Sequence, residues 1–176
     1  MSRRAGLSDR LLNVLFLCTG NSARSIMAEC VINRWGRGRF KSFSAGSHPK
    51  GAVHPVALAL LRELGYDIHT LRSKSWDEFA GGPRFDFVFT VCDHAAAEPC
   101  PIWPGQPITA HWSFADPAAC EGTEDEQRRC FARTYGALET CIKAFVDLDI
   151  ERMDPTTLQQ RVEEIGRIAL ADTCEY

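Results

Sequence analysis

Residues 11–25 read LLNVLFLCTGNSARS, and their order decides the fold. Residues 12–17 form a nearly continuous apolar run, the mark of a strand covered on both faces. From residue 23 to about 35, Ile26, Met27, Cys30 and Val31 return at helical spacing. Between strand and helix lies a loop of small and polar residues that opens on Cys18 and closes on Arg24. Strand, loop and helix in this order open a parallel α/β sheet. The thiol then stands at the carboxyl end of a strand, where such sheets bind their ligands.

The rest of the chain repeats the alternation. Residues 40–45 predict a second strand stopped by Gly46, and 54–64 a helix with Pro55 in its first turn and Gly65 as its stop. Residues 73–79 predict a short helix and 85–91 a third strand that delivers Cys92 at its end. A Pro- and Ala-rich loop with room for one helical turn and for movement runs to residue 107, and 108–112 predict a fourth strand. Phe131, Tyr135, Leu138, Ile142 and Phe145 form the apolar stripe of a long helix over 124–146. A last helix spans 156–171, with Asp154 as its cap before Pro155, and packs through Leu158, Val162, Ile165, Ile168 and Ala169. The pattern implies a doubly wound parallel sheet in one domain, without internal repeats.

Composition narrows the partners. The 176 residues are 45 % hydrophobic and 24 % charged with a formal net charge of −3, which suits a globular protein and gives no grip on nucleic acid or anionic lipid. The apolar run after MSRR is too short, and Leu17 too large, for a signal peptide, and no stretch approaches the ~20 apolar residues of a membrane span. The expectation is a cytoplasmic protein with no membrane partner, monomeric by default. Eight cysteines show no C-x-x-C spacing and no paired histidines, so some are read as chemical and the others as packing. Cys130 and Cys141, along the edge of the long helix's stripe, read as small core residues. His94 and His111 read as structural or surface residues.

The loop has the chemistry of an oxyanion site. Thr19, Gly20, Asn21, Ser22 and Ala23 are small enough to curl with their backbone N–H groups inward at a helix N-terminus, and Arg24 can fork two anion oxygens. Ser25 is placed to hydrogen-bond the Cys18 thiolate, whose pKa the positive surroundings are expected to lower. An acid for the departing oxygen is expected at Asp116 in SFADPA, held protonated beside a dianion.

The segments LCTGNSARSIMAE, SAG, FVFTVCD, CPIWPG and HWSFADPA, in this order, resemble the arsenate reductases of the low-molecular-weight tyrosine phosphatase type across residues 12–147. The resemblance implies a four-stranded parallel sheet with helices on both faces, and leaves 150–176 as a C-terminal helical extension. It implies that Cys18 and Arg24 serve the anion loop, that Asp116 is the acid, and that Cys92 and Cys100 are redox cysteines. Arsenate would be reduced to arsenite as a disulfide passes from Cys18–Cys92 to Cys92–Cys100, with thioredoxin, or glutaredoxin and glutathione, as the external donor. No tightly bound cofactor is implied. Asn21, Glu29 and Ser44 match part of a potassium site, although Ser75 stands where relatives with that site place an acid, so at most a weak site is expected. Ala23 replaces a cysteine common in relatives. Two rival readings are a tyrosine phosphatase, disfavoured by Ala118 where an aromatic residue is usual, and a non-enzymatic oxyanion- or arsenite-binding thiol protein.

Overall fold

The computed structural model describes residues 10–173, with side chains through residue 168. Strand β1 (Leu12–Cys18) is buried on both sides, as its unbroken apolar run demands: Val14 and Phe16 join one cluster, Leu15 and Leu17 the other. It pairs in parallel with β2 (Phe40–Gly46) and with β3 (Phe87–Thr90), and β3 pairs in parallel with β4 (Ile108–His111). The order β2-β1-β3-β4 makes this the expected four-stranded parallel sheet. Because the chain turns one way from β1 to β2 and the other way to β3, the topological switch point lies between β1 and β3. Cys18 ends one of these two strands and Cys92 follows the other.

The larger core lies between the sheet and α1 (Arg24–Trp35), α2 (Pro55–Glu63), the long α4 (Glu124–Val146) and α5 (Pro155–Thr173). Phe145 of α4 is its hub, with ring centroids 5.0, 5.1 and 5.3 Å from Phe87, Phe89 and Phe40. Across the sheet the cover is thinner. Leu15, Leu17, Ala45 and Val88 pack under Phe85 and Trp103, with Phe43, Trp76 and Phe79 at the margin.

Helix α4 begins on a capping box formed by Thr123 and Glu126, and Asp154 caps α5 by accepting from the Thr157 N–H at 3.0 Å. α5 closes the β4 edge: Trp112 Nε1 donates to Val162 O at 2.8 Å and Gln159 Nε2 to Thr109 O at 2.8 Å. Gly166 sits so close to the Trp112 ring that a Cβ there would overlap it. Ile168, expected in the packing stripe, is 48 % exposed. The Ala169 side chain and Cys174 lie outside the described residues.

Three local expectations change. The short helix expected over 73–79 is a single 3-10 turn, Trp76–Phe79, capped by Ser75, because the preceding backbone is already engaged. Gly46 N–H donates to Lys74 O at 2.9 Å, and the Lys74 N–H donates to Asn21 Oδ1 at 2.8 Å. Strand β3 starts at Phe87 and not at 85, since the Asp86 carboxylate is turned to the Asn13 N–H and the Arg10 guanidinium. Cys130 is not a small core residue. It is disulfide-bonded to Cys120 with Cα atoms 6.5 Å apart, because the turn at 117–123 folds back along α4 and brings the two thiols within bridging range. Cys141 is buried, as expected, and its Sγ lies 3.6 Å from Ile165 O.

Truncating the hub tests this core. Phe145→Ala is expected to cost about 3–5 kcal/mol, read as a lower urea midpoint at unchanged slope.

Candidate active site

The residues 18–24 curl at the N-terminus of α1, and the orientation of their peptide groups follows from their partners. Cys18 O accepts from Ser47 N–H at 3.3 Å, Thr19 O from His48 N–H at 2.9 Å, Gly20 O from Lys50 N–H at 2.9 Å, and Ser22 O from His54 N–H at 2.8 Å. The Ser73 hydroxyl donates a further bond to Gly20 O at 3.1 Å. With four carbonyls pulled outward, the alternate ends of those peptide dipoles, the N–H groups, face the interior of the loop. Asn21 takes φ +42°, in the left-handed region that asparagine tolerates better than most residues, and is fully buried. Gly46 lies against the loop so closely that a Cβ would fall on Thr19 O.

Cys18 sits under this loop, almost wholly buried. Its sulfur lies 2.9 Å from Ser25 Oγ and accepts from the Asn21 N–H at 3.1 Å; Asn21 Nδ2 in turn donates to Ser25 Oγ at 2.8 Å. Burial pushes the Cys18 thiol up, against the expectation of a lowered pKa, while the bonds from Ser25 and Asn21 oppose that rise. The physical reason is desolvation of the almost wholly buried sulfur. Arg24 turns to other partners. Its guanidinium donates to Phe114 O at 3.0 Å and pairs with Asp116 at 3.4 Å.

Asp116 therefore stands beside Arg24, its side chain 41 % exposed, with Oδ1 accepting from Ala118 N–H at 3.1 Å to start a 3-10 turn, Pro117–Ala119. The Cys120–Cys130 bridge ties the end of that turn to α4.

Cys92 is fully buried at the start of the five-residue α3 (Asp93–Ala97), which its sulfur caps by accepting from Ala95 N–H at 3.4 Å. The same sulfur lies 3.6 Å from Thr19 Oγ1, on the rim of the loop over 18–24. Cys100 is separate. It is exposed, accepts from Trp103 Nε1 at 3.3 Å, and lines a cavity of about 830 Å³ with Ala96, Trp103, Thr109 and Gln159. Burial raises its pKa and the Trp103 bond opposes the rise. His111 bonds Asp93 at 2.9 Å and Thr90 O at 3.1 Å, a structural tie from the end of β4 to the end of β3 and the start of α3.

Glu29 and Ser44 share a hydrogen bond, and a residue missed by sequence reasoning joins them. Lys74 Nζ donates to Ser44 Oγ at 3.3 Å and to Arg72 O at 3.1 Å and lies 3.8 Å from Glu29 Oε2. Burial pushes the Glu29 carboxyl up and the Lys74 ammonium down, each opposed by the other's charge. Nothing in the run Ser73-Lys74-Ser75 signals this, since the contact spans 45 residues of chain between Glu29 and Lys74 (74 − 29). Among the described residues, no group of three or more His, Cys, Asp or Glu could hold a metal ion. No described helix is long and apolar enough to cross a membrane.

The sequence pattern of the low molecular weight phosphotyrosine protein phosphatase family matches residues 13–162. An arsenate reductase of Halalkalibacterium halodurans is 37 % identical over 134 residues, covering 76 % of this chain and 94 % of that protein. Among solved structures, an arsenate reductase in the phosphate binding state is similar at a TM-score of 0.59 and 29 % identity, over 75 % of this chain and 97 % of the other. The thioredoxin-dependent arsenate reductase of Corynebacterium glutamicum is similar at a TM-score of 0.55 and 26 % identity, over 74 % of this chain and 60 % of that one.

Two substitutions probe the loop. Gly46→Ala is expected to lose about 1–3 kcal/mol and to weaken inorganic phosphate binding, measured by denaturation and by calorimetry, because the added methyl displaces the Thr19 peptide. Ser25→Ala removes a bond that favours the Cys18 thiolate, so the pKa rises further. Iodoacetamide labelling of Cys18 at fixed pH should slow by about threefold to tenfold, and its pH profile should move to higher pH.

Proposed function

The chain belongs to the low molecular weight phosphotyrosine protein phosphatase family, and on that premise we propose that it reduces arsenate to arsenite with electrons from its own thiols. The observation that carries this reading is the second buried sulfur, Cys92, at the rim of the anion loop. Hydrolysis of a phosphoester requires only Cys18, the loop and an acid. Reduction requires a further thiol that can reach the sulfur of the adduct.

In the proposed cycle the loop N–H groups and Arg24 hold the oxyanion. Cys18, deprotonated as the anion site fills, attacks arsenic(V), and an oxygen leaves as water with a proton from Asp116. The Cys92 thiolate then attacks the Cys18 sulfur. An S–S bond forms, the S–As bond breaks with its electron pair passing to arsenic, and arsenic leaves as arsenite, reduced by two electrons. Cys100 attacks Cys92, freeing Cys18 and forming Cys92–Cys100. The fully buried Cys92 caps α3 while Cys100 is exposed, so this exchange calls for α3 and the following loop to rearrange until the Cα atoms lie within about 7 Å. A thioredoxin-type dithiol then supplies two electrons to the Cys92–Cys100 bond, restoring both thiols and leaving as its own disulfide.

Arsenate-dependent NADPH oxidation with thioredoxin and its reductase tests the activity, with a parallel glutaredoxin and glutathione arm and an aryl phosphate arm for the phosphatase reading. Cys18→Ser should abolish turnover in every arm. Cys92→Ser and Cys100→Ser should each lose at least about 100-fold in arsenate turnover. Arsenate-treated Cys100→Ser should carry a Cys18–Cys92 bridge by peptide mass spectrometry; undiminished turnover by either variant contradicts the relay.

A further inference from the structure

The residues that resemble a potassium site do not fit that ion as they stand. Potassium binds through an open shell of oxygen atoms, yet here the oxygens are already engaged. The Ser44 hydroxyl bonds Glu29 and accepts from Lys74 Nζ at 3.3 Å. Asn21 Oδ1 accepts the Lys74 backbone N–H at 2.8 Å. The Lys74 ammonium stands 3.8 Å from Glu29 Oε2, with its side chain only 10 % exposed, and its bond to Arg72 O at 3.1 Å uses another of its protons. A second cation placed among these groups would meet a like charge at short range in a partly buried setting, where repulsion is poorly screened.

We propose that the Lys74 ammonium is the resident monovalent cation of this protein, a positioning group that holds the anion loop in shape and makes it independent of potassium. The inference rests on reading 18–24 as an anion loop. Residue 74 reaches that loop by three routes at once. Its ammonium joins Glu29 of α1 to Ser44 of β2, its carbonyl accepts Gly46 N–H at 2.9 Å, and its N–H fixes the Asn21 side chain. Asn21 is the loop residue at positive φ, and it passes the constraint on through Ser25, 2.9 Å from the Cys18 sulfur. Removing the ammonium takes its nearest cation from Glu29 and loosens the segment whose N–H holds Asn21 Oδ1.

Melting temperature and inorganic phosphate affinity, each in potassium chloride and in tetramethylammonium chloride of equal ionic strength, test the proposal. The wild-type protein should give the same values in both salts. Lys74→Met should melt about 5 °C lower and bind phosphate on the order of tenfold more weakly in tetramethylammonium, and potassium should recover most of both losses with saturation. Adding Glu29→Gln to Lys74→Met should abolish the response to potassium. Potassium that stabilises the wild type, or a Lys74→Met deficit equal in the two salts, overturns the proposal. Should Lys74→Met not fold in either salt, the wild-type comparison and Lys74→Gln decide it by the same criteria. A wild type that binds no phosphate would instead defeat the anion-loop reading, while the melting temperatures, which need no anion, still decide the role of the lysine.

Discussion

The outward pull on four consecutive-region carbonyls, those of Cys18, Thr19, Gly20 and Ser22, is the constraint on which the site depends. A seven-residue loop of small residues has many ways to curl, with its carbonyls or its N–H groups toward the centre. The backbone of 47–54 and the Ser73 hydroxyl remove that choice, since each carbonyl they capture turns the adjoining N–H groups the other way. The sheet makes this possible. Its parallel register brings Gly46 beside Cys18, so the chain leaving β2 runs directly beneath the loop that leaves β1, and a side chain at 46 would have forced the two apart.

The same register explains the separation of the sulfurs. Cys18 and Cys92 flank the switch point, both shielded from solvent, and burial pushes the Cys18 thiol up. Cys100 lies beyond α3, in contact with solvent and with the wide cavity under α5. A buried pair and an exposed third thiol occupy two environments, and the short helix α3 is the boundary between them. The bridge from Cys120 to Cys130 serves a different end, fastening the turn after Asp116 to the long helix.

Much of this was legible along the chain. The strands, the long α4, the Asp154 cap and the loop between β1 and α1 follow from periodicity and turn chemistry within windows of a few residues, and the buried strand at 12–17 shows itself by hydrophobicity alone. What failed were statements about partners distant in sequence. The Cys18 pKa moves up and not down because the sulfur is almost wholly buried, and a local pattern of small residues and one arginine does not report desolvation. Cys130 was misjudged because its spacing on α4 reveals which face it is near and not that the chain at 120 folds back to it.

By itself the sequence determined the parallel α/β scaffold, the loop between Cys18 and Arg24, and the supply of thiols and acid at strand ends, because hydrophobic period and small-residue loops act over short range. Only the tertiary structure decided which way the loop peptides point, where Arg24 is directed, and that Lys74 stands between Glu29 and Ser44. Those are properties of groups brought together from separate elements. Hydrogen-bond direction, desolvation and charge pairing depend on distances that no local pattern encodes.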